Sequence, residues 1–256
     1  MMNIKEAAAL IRNEKRQGRR APASLRGQLS LEDSYPAQME LLALHEAGGE
    51  ALAGWKVGLT AKAVQDLFGF HEPAFGHLLN SGRMESGAAI AGASLIGPQI
   101  EAELCVVMGD TLRGPGVTLA EARAAMGGIY PALELIEMWF NPSEDIPLFL
   151  AENVVHTAFV TGPATAPLDA RVNLLETTVE VLVNGEPVAS GKADAVLDGP
   201  EGSVAWLANK LAEFGRPLEK GQVVMTGSMI KPYAIETGDR VEARFKPFGL
   251  VELLLE

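Results

Sequence analysis

The sequence predicts an α+β fold with a large mixed sheet. Three observations predict it. Helical patterns fill the first fifty residues, short strand-like runs bounded by Gly and Pro dominate after about residue 75, and the two kinds of element do not alternate regularly. Regular alternation would signal a doubly wound parallel sheet; segregated elements signal α+β layers. The expected division is a small N-terminal helical/α+β part over 1–74 and a mixed-β domain over 75–256.

Residues 3–20 read as a helix, with Ile4, Ala8, Leu10 and Ile11 as its apolar stripe. A second helix is expected in RGQLSLEDSYPAQMELLALHEAGGE (26–50), with Asp33 or Ser34 as its cap and Gly48-Gly49 as its stop. LAGWKVGLT (52–60) reads as a strand, AKAVQDLFGF (61–70) as a helical turn closed by Gly69, and AFGHLLNSGRM (74–84) as extended or turning chain. Strands follow in ASLIGPQIEAELCVVMGD, TTVEVLVNGEPVASG, GQVVMTGSM, DRVEARF and LVELLLE, with Asn184-Gly185 as a hairpin turn. Two helices interrupt them: TLAEARAAMGGI (118–129), capped by Thr118, and GSVAWLANKLAEFG (202–215), ended by Gly215.

A chain of 256 residues with 48% hydrophobic content can bury a sizeable core. Its formal net charge of −12 argues against nucleic acid and anionic membranes as partners, because no basic stripe exists to neutralise phosphates. The one basic cluster, RNEKRQGRR (12–20), reads as a solvated helix end. A lone cysteine, Cys105, makes no intrachain disulfide and fits a core thiol in a reducing compartment. With no apolar leader and no run of transmembrane length, the expectation is a soluble, cytoplasmic protein.

The chemistry-bearing feature is GPQIEAELCVVMG (97–109), where Glu101 and Glu103 sit two apart inside an apolar run. In a strand both point to one face, roughly 7 Å apart along the backbone, and that face continues with Cys105 and Val107. Two carboxylates in a sparsely solvated place raise each other's pKa, and a hard divalent cation removes the conflict. A bare E-x-E also fits a solvated sheet face. PALELIEMWF supplies a third carboxylate, Glu134 or Glu137, and spacing alone does not choose between them.

Taken together, GWKVGLTAKAVQ (54–65), IEAEL (100–104), PALELIE (131–137), VAWLANKLAEFGRPLEKGQVVMTGSM (204–229) and GDRVEARF (238–245) resemble the 2-keto-4-pentenoate hydratase and 4-oxalocrotonate decarboxylase family, within the fumarylacetoacetate hydrolase superfamily. The resemblance covers most of the chain from about Tyr35 onward. It implies a mixed β-roll core with a smaller N-terminal part, and a Mg²⁺ or Mn²⁺ ion held by Glu101, Glu103 and Glu134. Glu137 then falls where the family has an aspartate, outside the ligand set. Lys56 in GWKVGLT corresponds to the family's working lysine, and Thr226, Gly227 and Ser228 to its substrate-contacting turn. Lys231 stands where relatives often carry arginine, a position suited to an anionic tail.

The implied activity is that of a metal-dependent lyase on a short 2-oxo acid or its dienol, foremost a hydratase of the kind used in aromatic catabolism. Decarboxylation of an oxalocrotonate-like acid and hydrolysis of a carbon–carbon bond in a 1,3-diketone are the alternatives, because one scaffold hosts all three. A metal-bearing oxo-acid binding protein is the non-enzyme alternative, and a homo-oligomer is the expected assembly. The chain departs from the family at LAENVVHTAFVTG: Asn153 is kept, and the resemblance implies that it positions substrate or water, while Val154, Val155 and His156 replace small and hydroxyl residues. Met138-Trp139 also stand where Ser-Arg is usual, which removes an arginine able to clamp a distal carboxylate. His156 is a candidate general acid or base; His77 reads as a core histidine, and His45 and His71 as surface positions.

Overall fold

The computed structural model describes residues 2–19, 23–165, 167–169 and 171–256. Six α-helices are α1 (Ile4–Arg16), α2 (Leu31–Ala47), α3 (Lys62–Phe68), α4 (Leu119–Ala125), α5 (Ile146–Ala151) and α6 (Gly199–Ala212). The strands, in chain order, are β1 (Leu52–Gly58), β2 (Ala74–Leu79), β3 (Arg83–Glu85), β4 (Ala88–Ile90), β5 (Pro98–Met108), β6 (Met126–Glu137), β7 (His156–Thr161), β8 (Thr178–Val183), β9 (Glu186–Lys192), β10 (Val223–Ser228), β11 (Tyr233–Ala234), β12 (Arg240–Lys246) and β13 (Gly249–Leu255). Among the described residues no helix is long and apolar enough to cross a membrane.

Local chemistry sets the helix ends. The α1 helix starts at Asn3, whose side chain accepts the Lys5 amide, and stops at Arg16, short of the expected residue 20. Arg20 itself lies outside the described residues. The cap of α2 corrects the sequence reading: it is Ser30, which accepts the Asp33 amide at 3.1 Å, while the Ser34 hydroxyl is spent on the Leu31 carbonyl. A capping box between Thr118 and Glu121 starts α4 as expected. That helix ends at Ala125 rather than near residue 129, because Met126 onward pairs with β5, and Gly127-Gly128 give a helix little support.

The strands form two sheets. The larger runs β2-β1-β10-β5-β6-β7-β3, with β11 also on β5; the smaller runs β4-β13-β12-β8-β9. Both sheets are mixed: β1 lies parallel to β10 and β4 parallel to β13, while β5 and β6 are antiparallel. Strand β1 falls within residues 1–74 yet sits between β2 and β10 in the larger sheet. The α1–α2 pair packs with α5 against the β2 end, and β12 and β13 pack against β6. This layering buries β5 and β6 on both faces, so any charged group they carry must find partners inside the protein.

Candidate active site

Register builds the centre of the site. The β5–β6 ladder pairs Glu101 with Glu134 and Glu103 with Ala132. Directly opposed residues share a face, so Glu134 joins the two carboxylates of β5. One ligand-capable oxygen from each of Glu101, Glu103 and Glu134 lies within 4.8 Å of the others. The register thus chooses Glu134. Glu137 is three residues further on, and its oxygens accept from the Ile96 amide and the Thr157 hydroxyl, both at 2.8 Å.

Each carboxylate is held differently. Glu134 is fully buried, and its Oε1 takes Lys56 Nζ at 2.7 Å and His156 Nδ1 at 2.8 Å. Its Oε2 has no partner among the described residues. Burial raises the Glu134 pKa, but Lys56 and His156 outweigh it and bring the group below its usual value. Glu103 Oε2 accepts the Gly227 amide at 2.8 Å. Burial, and then the charges of Glu134 and Glu101, lift Glu103 well above the usual carboxylate range. Burial pushes Glu101 up to about 7 against the pull of Lys56, with Glu134 adding to the rise. Burial works against the Lys56 charge, yet the three carboxylates raise its pKa. For His156 burial wins over Glu134 and the pKa falls.

A divalent cation fits these residues. Three hard oxygen donors converge on one place, Glu134 keeps one buried oxygen without a partner among the described residues, and two of the carboxylates resist ionising without a counter-charge. The centre opens into a cavity of about 470 Å³ lined by Lys56, Glu101, Glu103, Ser228 and Lys231 on its polar side. Its apolar side includes Phe68 from α3, Phe149 from α5 and Val155.

Gly227 has φ +110, and a Cβ there would come within 2.6 Å of Thr60 Cγ2, so only glycine lets the backbone amide reach Glu103. Thr226 is a correction to the sequence reading: it does not line the cavity, and its buried hydroxyl donates to the Leu104 carbonyl at 2.8 Å. Gly227 likewise acts on Glu103 rather than lining the cavity. Ser228 and exposed Lys231 do line it.

The segment Glu152–Val155 is a tight turn with Asn153, Val154 and Val155 all at positive φ (67°, 54° and 53°). Left-handed backbone costs a non-glycine residue roughly 1–2 kcal/mol, and β-branched valines adopt it rarely. The surroundings hold it there. The Asn153 amide accepts from His77 N at 2.7 Å and donates to His77 O at 2.9 Å, and Lys15 Nζ donates to the Glu152 and His156 carbonyls at 3.3 Å. Lys56 Nζ donates to the Val154 carbonyl at 3.2 Å. Gly76 permits this approach, since a Cβ there would meet Asn153 Oδ1 at 2.8 Å. Asn153, expected near substrate or water, is therefore a clip between the turn and β2; both ends of its amide are taken.

The turn is also a wall. Val154 and Val155 line the carboxylate cavity; Asn153 and His156 line a second one, of about 400 Å³, with His45, His77 and Trp139. His45, expected at the surface, is half-buried and bonded to Glu50; His77 is buried, and burial holds its pKa well below the usual value. Phe68, Phe149 and Ser190 line the carboxylate cavity without having been foreseen.

The signature described as Fumarylacetoacetate (FAA) hydrolase C-terminal matches residues 77–253. The chain belongs to the fumarylacetoacetate hydrolase family. Within the family it is 35% identical over 226 residues to 2-hydroxyhexa-2,4-dienoate hydratase of Comamonas testosteroni, covering 87% of this chain and 85% of that one. It is 34% identical over 225 residues to 4-oxalocrotonate decarboxylase of Pseudomonas putida, covering 88% and 85%. The solved structure of 4-oxalocrotonate decarboxylase from Pseudomonas putida G7, complexed with magnesium and adipate, superimposes with a TM-score of 0.90 at 30% identity, covering 100% of this chain and 99% of that one. The same protein complexed with calcium and acetate gives 0.89. The α+β fold of the fumarylacetoacetate hydrolase type, read from the sequence, is the fold observed.

Proposed function

We propose that this protein is a divalent-metal-dependent lyase that hydrates a 2-hydroxy-2,4-dienoate, the dienol of a 2-oxo acid, with Glu101, Glu103 and Glu134 as the metal ligands. The observation that carries the reading is the convergence of one carboxylate oxygen each from Glu101, Glu103 and Glu134 within 4.8 Å, where Glu134 is held through Oε1 by Lys56 and its buried Oε2 has no partner among the described residues. Relatives named as hydratases and decarboxylases, and a neighbour complexed with magnesium, support Mg²⁺ as the ion, and Mn²⁺ suits the same hard oxygen donors. When bound, such an ion supplies a Lewis acid for the carboxylate and keto oxygens of an oxo acid.

The chain's own residues do the rest. Lys56 and His156 fix the Glu134 carboxylate by its Oε1, so the other oxygen needs no reorganisation. His156 is thus a positioning residue. Lys56 also lines the cavity, and its carboxylate neighbours keep it protonated. It is the group able to place a proton on the terminal carbon of the dienol and to take one back as water adds to the resulting enone. The apolar wall keeps bulk water away from the diene. Ser228 and Lys231 line the same cavity and are placed to contact substrate. A homo-oligomer in the cytoplasm completes the proposal, in keeping with the acidic chain and its single buried thiol.

The test follows ultraviolet absorbance of 2-hydroxypenta-2,4-dienoate and of 4-oxalocrotonate, with Mg²⁺ and with chelator, for wild type and Glu103→Gln. Metal-dependent loss of the dienoate signal, abolished in the variant, is the expected result. CO₂ release from oxalocrotonate alone moves the assignment to decarboxylase. Tight oxo-acid binding without turnover of either compound sinks the enzyme reading.

A further inference from the structure

We propose that the substrate's distal end is an uncharged hydrocarbon tail, selected by Phe68 and Val155; this rests on the dienoate reading above. The charged groups around the cavity are quickly assigned. Glu101 and Glu103 belong to the carboxylate centre, and Lys56 is bound to Glu134. That leaves Lys231 for a distal carboxylate, and among the described residues no arginine lines the cavity.

Lys231 is exposed. A lone ammonium on a flexible stem in water gives a partner anion little, and salt screens what it gives. Much of the remaining lining is hydrocarbon. Phe68 packs edge-on against Phe149, with ring centroids 6.2 Å apart, and Val64, Ile136, Met138 and Val155 extend the surface. Val64 is partly exposed and Phe68 half-buried, so apolar area remains uncovered and a tail would remove it from water. A carboxylate there would lose hydration and gain no fork of donors.

Val155 adds to this lining. A valine at φ +53 is held in an unfavourable backbone region, and this residue is part of the cavity lining. The strained turn thus sets an apolar residue beside the carboxylate centre, where small and hydroxyl residues are usual in the family.

Two measurements test the proposal. The first compares kcat/KM for 2-hydroxy-2,4-dienoates carrying hydrogen, methyl, ethyl or propyl at C5 with a dienoate whose tail ends in a carboxylate. Each added methylene is expected to raise kcat/KM about fourfold until the wall is covered, and the carboxylate tail to fall at least tenfold below its alkyl match. The second uses calorimetry on the Mg²⁺-loaded protein and needs no turnover: 2-oxohexanoate against 2-oxoadipate, with the monoacid expected to bind at least tenfold tighter. Phe68→Ala should compress both ratios by about tenfold, and Phe68→Leu should restore most of the loss. A flat alkyl series or preference for the diacid overturns the tail proposal and leaves the hydratase reading standing. Absence of all dienoate turnover, with the monoacid still preferred in binding, overturns the hydratase reading and upholds the tail.

Discussion

Strands β5 and β12 carry the same local pattern with opposite consequences. Each places charged residues two apart: Glu101 and Glu103 in β5, Arg240, Glu242 and Arg244 in β12. In β12 every second residue is buried and the charges face water, where Arg240 pairs with Glu252 and Arg244 with Glu242. In β5 both faces are covered, and burial raises the pKa of both carboxylates, with the Glu134 charge adding to each. The difference lies in what covers the sheet. An i, i+2 charge pattern identifies a site only when the strand has no solvated face.

The largest way to break this contrast is to remove the internal cation. Lys56→Met leaves the carboxylate cluster uncompensated and should cost about 3–5 kcal/mol, read from urea unfolding in chelator. Next, Mg²⁺ at a hundred times its Kd should add about 2.7 kcal/mol to the wild type and nothing to Glu103→Gln, by the same unfolding assay. Truncating the support behind Glu134 with His156→Ala should weaken Mg²⁺ binding roughly 10–100-fold in titration calorimetry, with His156→Gln recovering part of it. At the small end, Arg240→Ala in β12 should change stability by less than about 1 kcal/mol and leave Mg²⁺ affinity alone. A large loss there would erase the distinction between the strands.

Much of the site was legible because its signals are short-range. E-x-E in an apolar run, GWKVGLT and the Gly turn after VVMTG each announce themselves within a few residues. What escaped depended on distance. The choice between Glu134 and Glu137 was left open by spacing and is decided by pairing with Glu101. Thr226 reads as a turn hydroxyl, yet β5 lies close enough to take it. No local pattern announces three left-handed residues at Asn153–Val155, since valine propensity argues against them; only their partners His77, Lys15 and Lys56 hold them. Ser30 displaced the expected caps of α2 because Asp33 turned back to bond with it.

The parallel pairing of β1 with β10, Gly54 opposite Val223, bears on how the chain acquires its function. Lys56 comes from β1, Glu101 and Glu103 from β5, Glu134 from β6, and the amide that steadies Glu103 from Gly227. Nearly the whole polypeptide must therefore emerge and close its longest loops before the cluster exists. Such non-local closure is slow to form. Ion uptake should consequently lag behind the appearance of secondary structure during refolding, and it would time the completion of the native topology.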